Sequence, residues 1–581
     1  MKLLLKYLKP YRGYITVALI IKTAATLIEL VIPYILSYII DTLVPRAGEG
    51  STGEVVNDII IFGFLMIGCA ILACIGNITA NRMAANTARR STEKIRHNLF
   101  ERVMSLSSKQ IDEYTIPSLE SRLTSDTYHI HHLVGMVMRM GVRAPIMLIG
   151  GIAVTFAIDP VLSLIMLSVL PLICLTVIIV SKKGIPLFKK TQSSVDSMIR
   201  IVREDSQGIR VIKALSKTDY ERRKYDKANK SLVEDETRAS STMAVSNPLV
   251  TLFLNLGLVA VILAGAVRVK GGQTNPGVII AFIQYFTTIS MATIGLARIF
   301  VHSSKGIASA GRIEEVINTE PDLMLESEEK YPRQNDKGYI VFDDVSFSYL
   351  GVKNNLSHLS FELPKGGTLG IIGATGSGKT TALQLLMRFY DVDSGSVRIG
   401  GRDVRTIPHG ELNGLFGVVM QNDFIHHGTI AENIRFGRDI SDEQIKRAAD
   451  IAQASEFIEA YDDGYEHELQ FKGTNLSGGQ KQRIFISRAV AGEPNILVLD
   501  DSSSALDYKT DAKLRKAIKE NMSDVTTVVV AQRVSSVMNS DLIIVLDDGE
   551  VIGMGTHDEL IESCEVYREI SDSQIGGAIL D

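Results

Sequence analysis

The chain has little excess charge of either sign. Its 61 Lys and Arg stand against 66 Asp and Glu, a formal net charge of −5 over 581 residues. So even a balance gives no electrostatic case for a nucleic-acid partner. Cysteine is scarce: of four, Cys69, Cys74 and Cys174 fall in apolar stretches and Cys564 in the polar C-terminal part, and free thiols in a reducing compartment are expected. Paired metal-ligand clusters are lacking too. His129, His131 and His132, and His426 with His427, have no second cluster at a recognised ligand spacing, so packing or solvent exposure is their expected role. A cleavable signal peptide is not expected either, because Met1 to Arg12 is basic and amphipathic and reads as a helix lying on the inner membrane surface.

What the chain does have is length and apolar sequence. At 581 residues it exceeds one ordinary domain, and its mean hydropathy is positive, at +0.16. The apolar residues concentrate before about residue 303, in stretches close to the ~20 residues that cross a bilayer. Six spans are expected: Tyr14–Leu43, Val56–Ala80, Leu133–Ile158, Val161–Val180, Pro248–Val267 and Val278–Val301. Asp159-Pro160 leaves room only for a tight hairpin between the third and fourth. The connections from second to third and from fourth to fifth are long and basic, which places them, both termini and the C-terminal half in the cytosol by the positive-inside rule. Ionisable residues inside spans usually face a bundle interior or a water-filled cavity. Lys22 and Glu29 share one face of the first span, where Glu29 reads as a substrate contact, an ion-pair partner of Lys22 or a contact to another helix. Arg139 and Arg143 sit one turn apart near the third span and are read as snorkelling, and Gln284 and Arg298 are comparable candidates on the sixth.

The C-terminal half carries the chemistry. Gly373-Ala-Thr375-Gly376-Ser377-Gly378-Lys379-Thr380 is a complete phosphate-binding loop, set between the apolar run Thr368–Ile372 and an expected helix Lys379–Tyr390. Its glycines let amides turn towards phosphate, Lys379 reaches the β and γ phosphates, and Thr380, followed by Thr381, offers a hydroxyl to Mg²⁺. About a hundred residues later comes Leu476-Ser477-Gly478-Gly479-Gln480, and then Ile496–Asp500, an apolar strand ending in a carboxylate.

With these motifs the chain resembles the ATP-binding cassette (ABC) proteins, as an exporter-type half-transporter, and the resemblance covers essentially its whole length. It implies an α-helical transmembrane bundle with long cytosolic extensions (residues 1–318), a linker (319–338) and an α/β P-loop nucleotide-binding domain (339–581). It implies ATP and Mg²⁺ as cofactors. Leu476–Gln480 would be the signature sequence, Asp500 the Walker B carboxylate, Tyr349 the aromatic that stacks on adenine, Gln421 the Q-loop residue facing Mg²⁺ and the attacking water, and Ser504 to Asp507 the D-loop. Ile116–Ser121 and Ala214–Asp219 fall where the family has its two coupling helices, although on their own residues a solvated helical linker is an equal reading.

Three positions depart from the family. Hydrolytic members have glutamate where this chain has Asp501, and a switch histidine where it has Gln532. Asp501 is a methylene short, and Gln532 cannot carry a proton near neutral pH. Phe471 stands where exporters usually have an acid. Because two cassettes of this family sandwich two ATP molecules, the expectation is a heterodimer with a competent half-transporter. This chain's own site would be degenerate, and its intact signature would complete the partner's site. The expected cargo is a small amphipathic or drug-like compound expelled across the plasma membrane. The alternatives are a slow homodimeric exporter of lipid or peptide using Asp501, and a non-pumping ATP-sensing subunit.

Overall fold

A computed structural model describes residues 2–47, 52–502 and 505–575, which divide into two compact units. One comprises Met1–Met104 with Ile116–Thr319, and the other Ser105–Thr115 with Glu320–Asp581.

The first unit is helical. A short helix α1 (Lys2–Leu8) precedes α2 (Arg12–Tyr38) and α3 (Thr52–Met104). In the second unit α4 (Ser108–Tyr114) follows, after which the first resumes with α5 (Ile116–Ser121), α6 (Thr127–Ile158), α7 (Pro160–Ala214), α8 (Thr218–Ala244), α9 (Ser246–Lys270) and α10 (Pro276–Asn318). Six apolar helical segments are long enough to cross a membrane, each containing most of one expected span. A bilayer core takes ~20 residues, whereas α3 has 53 and α7 has 55, so these helices continue far beyond it. Outward-facing Phe64, Ile71 and Leu72 on α3 are exposed, as a lipid-facing surface requires. The hairpin at Asp159 is capped from both sides: its carboxylate accepts from the Val161 and Leu162 amides (3.0 and 3.2 Å) and pairs with Arg268 of α9 (3.1 Å). Pro160, with no amide hydrogen, fits the first helical position.

The second unit holds two main sheets. An antiparallel sheet contains β1 (Ile340–Phe347), β2 (Leu356–Leu363), β4 (Ser394–Ile399) and β5 (Arg402–Asp403) in the order β2-β1-β4-β5. The larger sheet contains β3 (Thr368–Gly373), β6 (Phe416–Val419), β7 (Ile496–Asp500), β8 (Thr526–Val530), β9 (Leu542–Asp547) and β10 (Glu550–Gly555). Its order is β10-β9-β3-β8-β7-β6, parallel except for the edge strand β10. Every residue of Ile496–Asp500 is buried, as expected of a parallel strand covered on both faces, which reads as an unbroken apolar run. The register pairs Ile371 with Val530 and Val530 with Asp500. Three carboxyl-terminal strand ends therefore meet at one edge, the usual ligand side of such sheets.

The helix after the phosphate loop, α11, runs Lys379–Leu386, shorter than the expected Lys379–Tyr390. Arg388 ends it by adopting φ 53°, and its fully buried guanidinium bonds Asp391 and the carbonyls of Met324 and Arg405. These partners, one local and two distant in sequence, hold Arg388 out of helical geometry.

Candidate functional site

The phosphate loop bridges β3 and α11. Gly378 caps α11 with φ 98°, and a side chain there would bring its Cβ within 2.6 Å of the Asn355 carbonyl oxygen, so the position admits only glycine. Gly376 also has a left-handed φ, of 87°, with open space around it, while Thr375 is exposed and Ser377 buried. Lys379 Nζ donates to the carbonyls of Gly373 (2.9 Å) and Ala374 (2.7 Å). Burial lowers its pKa, with Asp500 and Asp501 acting the other way.

Thr380 Oγ1 donates to Asp500 Oδ2 at 3.4 Å. A hydroxyl and a carboxylate converging beside a glycine cradle suit a phosphate-bound Mg²⁺, and Thr380 and Asp500 are the residues that would hold it. Burial raises the pKa of Asp500, opposed by the Thr380 hydrogen bond and by Lys379. Gln421 lies exposed in the turn after β6.

Asp501 follows in a left-handed conformation, φ 52°, with its amide bonded to the Val530 carbonyl at 2.9 Å. Gln532 Nε2 donates to Asp501 Oδ2 at 3.4 Å, so the two positions that depart from the hydrolytic pattern touch each other. Burial raises the Asp501 pKa, opposed by Lys379 and Arg533.

Tyr349 stands beside the loop. Its hydroxyl is within reach of Thr381 Oγ1 (3.2 Å) and of Gln384, and its ring meets Phe347 and Tyr390 edge-on at 4.9 and 5.1 Å. Tyr390 in turn donates its hydroxyl to Asp112 Oδ2 at 2.9 Å.

Asp112 lies on α4, which was missed in the sequence. The expected coupling segment was Ile116–Ser121, but α5 clusters with the membrane helices and it is Ser105–Thr115 that belongs to the unit of the sheets. Gln110 Nε2 donates to the Glu320 carbonyl (2.7 Å) and Ser107 Oγ to Asp322 (2.9 Å). A signal was available: Ser107-x-x-Gln110 forms a capping box and reads as a helix start. The turn within Ala214–Asp219 is exposed, with Ser216 at φ 52°.

The signature residues open α12 (Gly478–Val490). Ser477 accepts from the Gln480 amide at 3.3 Å and Gln480 Oε1 from the Ser477 amide at 2.9 Å, while Leu476 is buried and Ser477 and Gly478 are exposed. Gly479 lies against Ala505 of the D-loop, whose carbonyl oxygen is 3.2 Å from where a Cβ would stand. Ser504 lies outside the described residues, and Asp507 caps the helix Tyr508–Asn521 by accepting from the Thr510 amide at 2.9 Å. Phe471 is exposed, with the Lys472 ammonium 5.7 Å from its ring centre.

Of the histidines, His129 Nδ1 is 3.2 Å from Ser309 Oγ and His426 lies between the rings of Phe424 and Phe436, while His132 and His427 are exposed. In the first unit, Lys22 and Glu29 form no direct ion pair. Asn77 bridges them, accepting from Lys22 (2.6 Å) and donating to Glu29 (2.7 Å), while Arg143, read as snorkelling, pairs with Glu29 at 2.9 Å. Gln284 is exposed, and the Arg298 side chain lies outside what the structure describes.

Six long apolar helices and a phosphate cradle at the carboxyl edge of a parallel sheet, carried on one chain, define a membrane transport ATPase. The comparisons agree. Residues 15–293 match the family described as the ABC transporter transmembrane region, and residues 356–504 the family described as ABC transporter. YfiB of Bacillus subtilis (strain 168), an uncharacterised ABC transporter ATP-binding protein, is 35% identical over 98% of both chains. Rv1273c of Mycobacterium tuberculosis, described in the same words, is 32% identical over 98% of both. A bacterial Atm1-family ABC exporter solved with ATP bound superposes with a TM-score of 0.79 at 22% identity, covering 97% of this chain and 98% of the other. The chain belongs to the ABC transporter family, with the half-transporter arrangement of one membrane region and one ATPase cassette.

Proposed function

We propose that this chain is one subunit of a heterodimeric exporter that expels small amphipathic compounds from the cytosol by alternating access, and that its own ATP site holds nucleotide but cleaves it slowly. The observation that carries this reading is the Asp501–Gln532 contact. At the position of the hydrolytic base the carboxylate is a methylene shorter than glutamate, and one of its oxygens accepts from an amide. A misplacement of about an ångström in such a group costs on the order of a hundredfold in rate. Glutamine can hydrogen-bond a γ-phosphate oxygen, but it offers no transferable proton.

The binding groups are intact beside this. Lys379, the loop amides and the α11 N-terminus would hold the phosphates, Tyr349 the adenine, and Thr380, Asp500 and Gln421 the Mg²⁺, which supplies charge neutralisation on the phosphates. The exposed Ser477 and Gly478 at the start of α12 would present amides to an ATP bound on the partner, whose glutamate and histidine would carry hydrolysis. ATP binding would close the sandwich and hydrolysis at the partner's site would reset it, with α4 and the exposed α7–α8 turn transmitting the movement. Both termini would face the cytosol and the spans would lie in the plasma membrane, as the basic connections favour.

The test is native mass spectrometry of the complex purified in mild detergent from its own cells. A heterodimer whose second subunit has the Walker B glutamate and switch histidine supports the reading. A homodimer overturns it and leaves a slow Asp501-dependent pump or an ATP sensor, which turnover assays separate.

A further inference from the structure

A polar network crosses the first, second and third membrane helices. The Lys22 ammonium, 4% exposed, donates to the side-chain oxygens of Asn77 (2.6 Å) and Asn81 (3.1 Å). Asn77 passes the connection to Glu29, which Arg143 pairs from α6. Arg139, one turn before Arg143, feels the same set of charges, and its guanidinium lies over Gly135, where the missing side chain leaves it room. Lys22 is thus met by two neutral amides, Glu29 is matched by Arg143, and Arg139 has no carboxylate partner among the described residues. Three cations stand against one carboxylate.

This excess lies at depth. Lys22 is ten residues into α2 and Glu29 seven further, roughly 15 and 25 Å along the axis, within the range of the hydrocarbon core. A guanidinium facing acyl chains there is costly, so ionisable groups at such depth face a water-filled cavity or the protein. The Arg143 side chain is 49% exposed, and its open side is therefore turned away from the acyl chains. Apolar surface adjoins it: Met140, one turn from Arg143, is exposed on α6 and abuts Gly295 of α10, one turn from exposed Met291.

We propose that this cluster is the headgroup site for an acidic amphiphile, a molecule with one carboxylate, sulfonate or phosphate group and an apolar body. The anion pairs with Arg139 and shares Arg143 with Glu29, while the body lies along Met140 and Met291. This narrows the cargo of the exporter reading and rests on it.

The same anion chemistry could come from a transported acid or from a resident phospholipid headgroup, and we assign it to the transported acid. The test uses the purified complex in phosphatidylcholine nanodiscs, with dansyl-labelled undecanoic acid and its methyl ester as probes and dansyl fluorescence as the readout. The acid is expected to bind on the order of tenfold more tightly than the ester, the worth of one partly screened ion pair. Arg139→Gln should bring the acid down to the ester's affinity, Arg139→Lys should keep the preference, and Glu29→Gln, by freeing Arg143, should strengthen it. These opposite signs separate a binding role from a structural one, and Glu29→Gln decides the matter if Arg139→Gln fails to fold. Equal binding of acid and ester, or a preference unmoved by the Glu29 and Arg139 variants, overturns the proposal. Loss of acid binding when phosphatidylglycerol is added overturns the assignment to a transported solute in favour of a lipid headgroup. Separately, absence of ATP-dependent uptake of either probe into inverted vesicles, with headgroup binding retained, counts against export and not against the site.

Discussion

The phosphate-loop edge of the cassette and its signature helix are built from the same kinds of parts, glycines, a helix N-terminus and a capping side chain, yet they differ in what they can complete. At the phosphate loop, the residues that would hold nucleotide lie beside Asp501 and Gln532, which bond to each other. At the start of α12, Ser477 and Gln480 satisfy each other in a capping box, and the exposed Ser477 and Gly478 remain available to a second cassette. On the proposed reading, the first edge would bind nucleotide and cleave it slowly, and the second would complete a partner's site.

The comparison breaks most severely at the signature. Gly478→Asp sets a negative charge at a helix N-terminus that should meet phosphate, and steady-state ATP turnover of the assembled complex should fall on the order of a hundredfold or more. If turnover is unchanged, the signature serves no hydrolytic site. Next in size is the repair of the altered edge. In the background of a partner whose own glutamate is inactivated, Asp501→Glu with Gln532→His should raise ATP turnover by roughly a hundredfold, reversing the misplacement of the base. No gain would place the defect elsewhere. Lys379→Ala should then weaken nucleotide retention by this chain about tenfold to a hundredfold, read by trapped labelled ATP, while a signature variant leaves that retention nearly intact. Smallest is Tyr390→Phe, which removes the hydrogen bond to Asp112 that ties α4 to the aromatic group around Tyr349. It should cost about 1 kcal/mol in thermal unfolding of the second unit, and a greater loss in transport than in ATPase rate would identify α4 as the coupling element.

Legibility followed locality. Thr368–Gly373 and Ile496–Asp500 could be read as strands because a buried parallel strand is an unbroken apolar run, and the loop between strand and helix declared itself through its glycines. The hairpin at Asp159-Pro160 was readable for the same reason, since capping residue and proline are neighbours. The length of α11 was not, because Arg388 ends it through Asp391, Met324 and Arg405, the last two far away in sequence. Nor was it legible that Ser105–Thr115 would group with the sheets' unit while Ile116–Ser121 groups with the membrane helices. The partners of the former, Glu320, Asp322 and Tyr390, lie more than two hundred residues on.

The sequence alone determined the class of machine: six apolar spans, a phosphate loop and an apolar strand ending in Asp500, all carried by residue type at short spacing. Only the tertiary structure decided how the charges are paired. It brought Gln532 onto Asp501 across 31 positions, set Arg143 rather than Lys22 against Glu29, and left Arg139 without a carboxylate among the described residues. The physical reason is that apolar periodicity and turn chemistry act between near neighbours. An ion pair or hydrogen bond depends on a few ångströms between side chains that only the packing of distant helices and strands brings together.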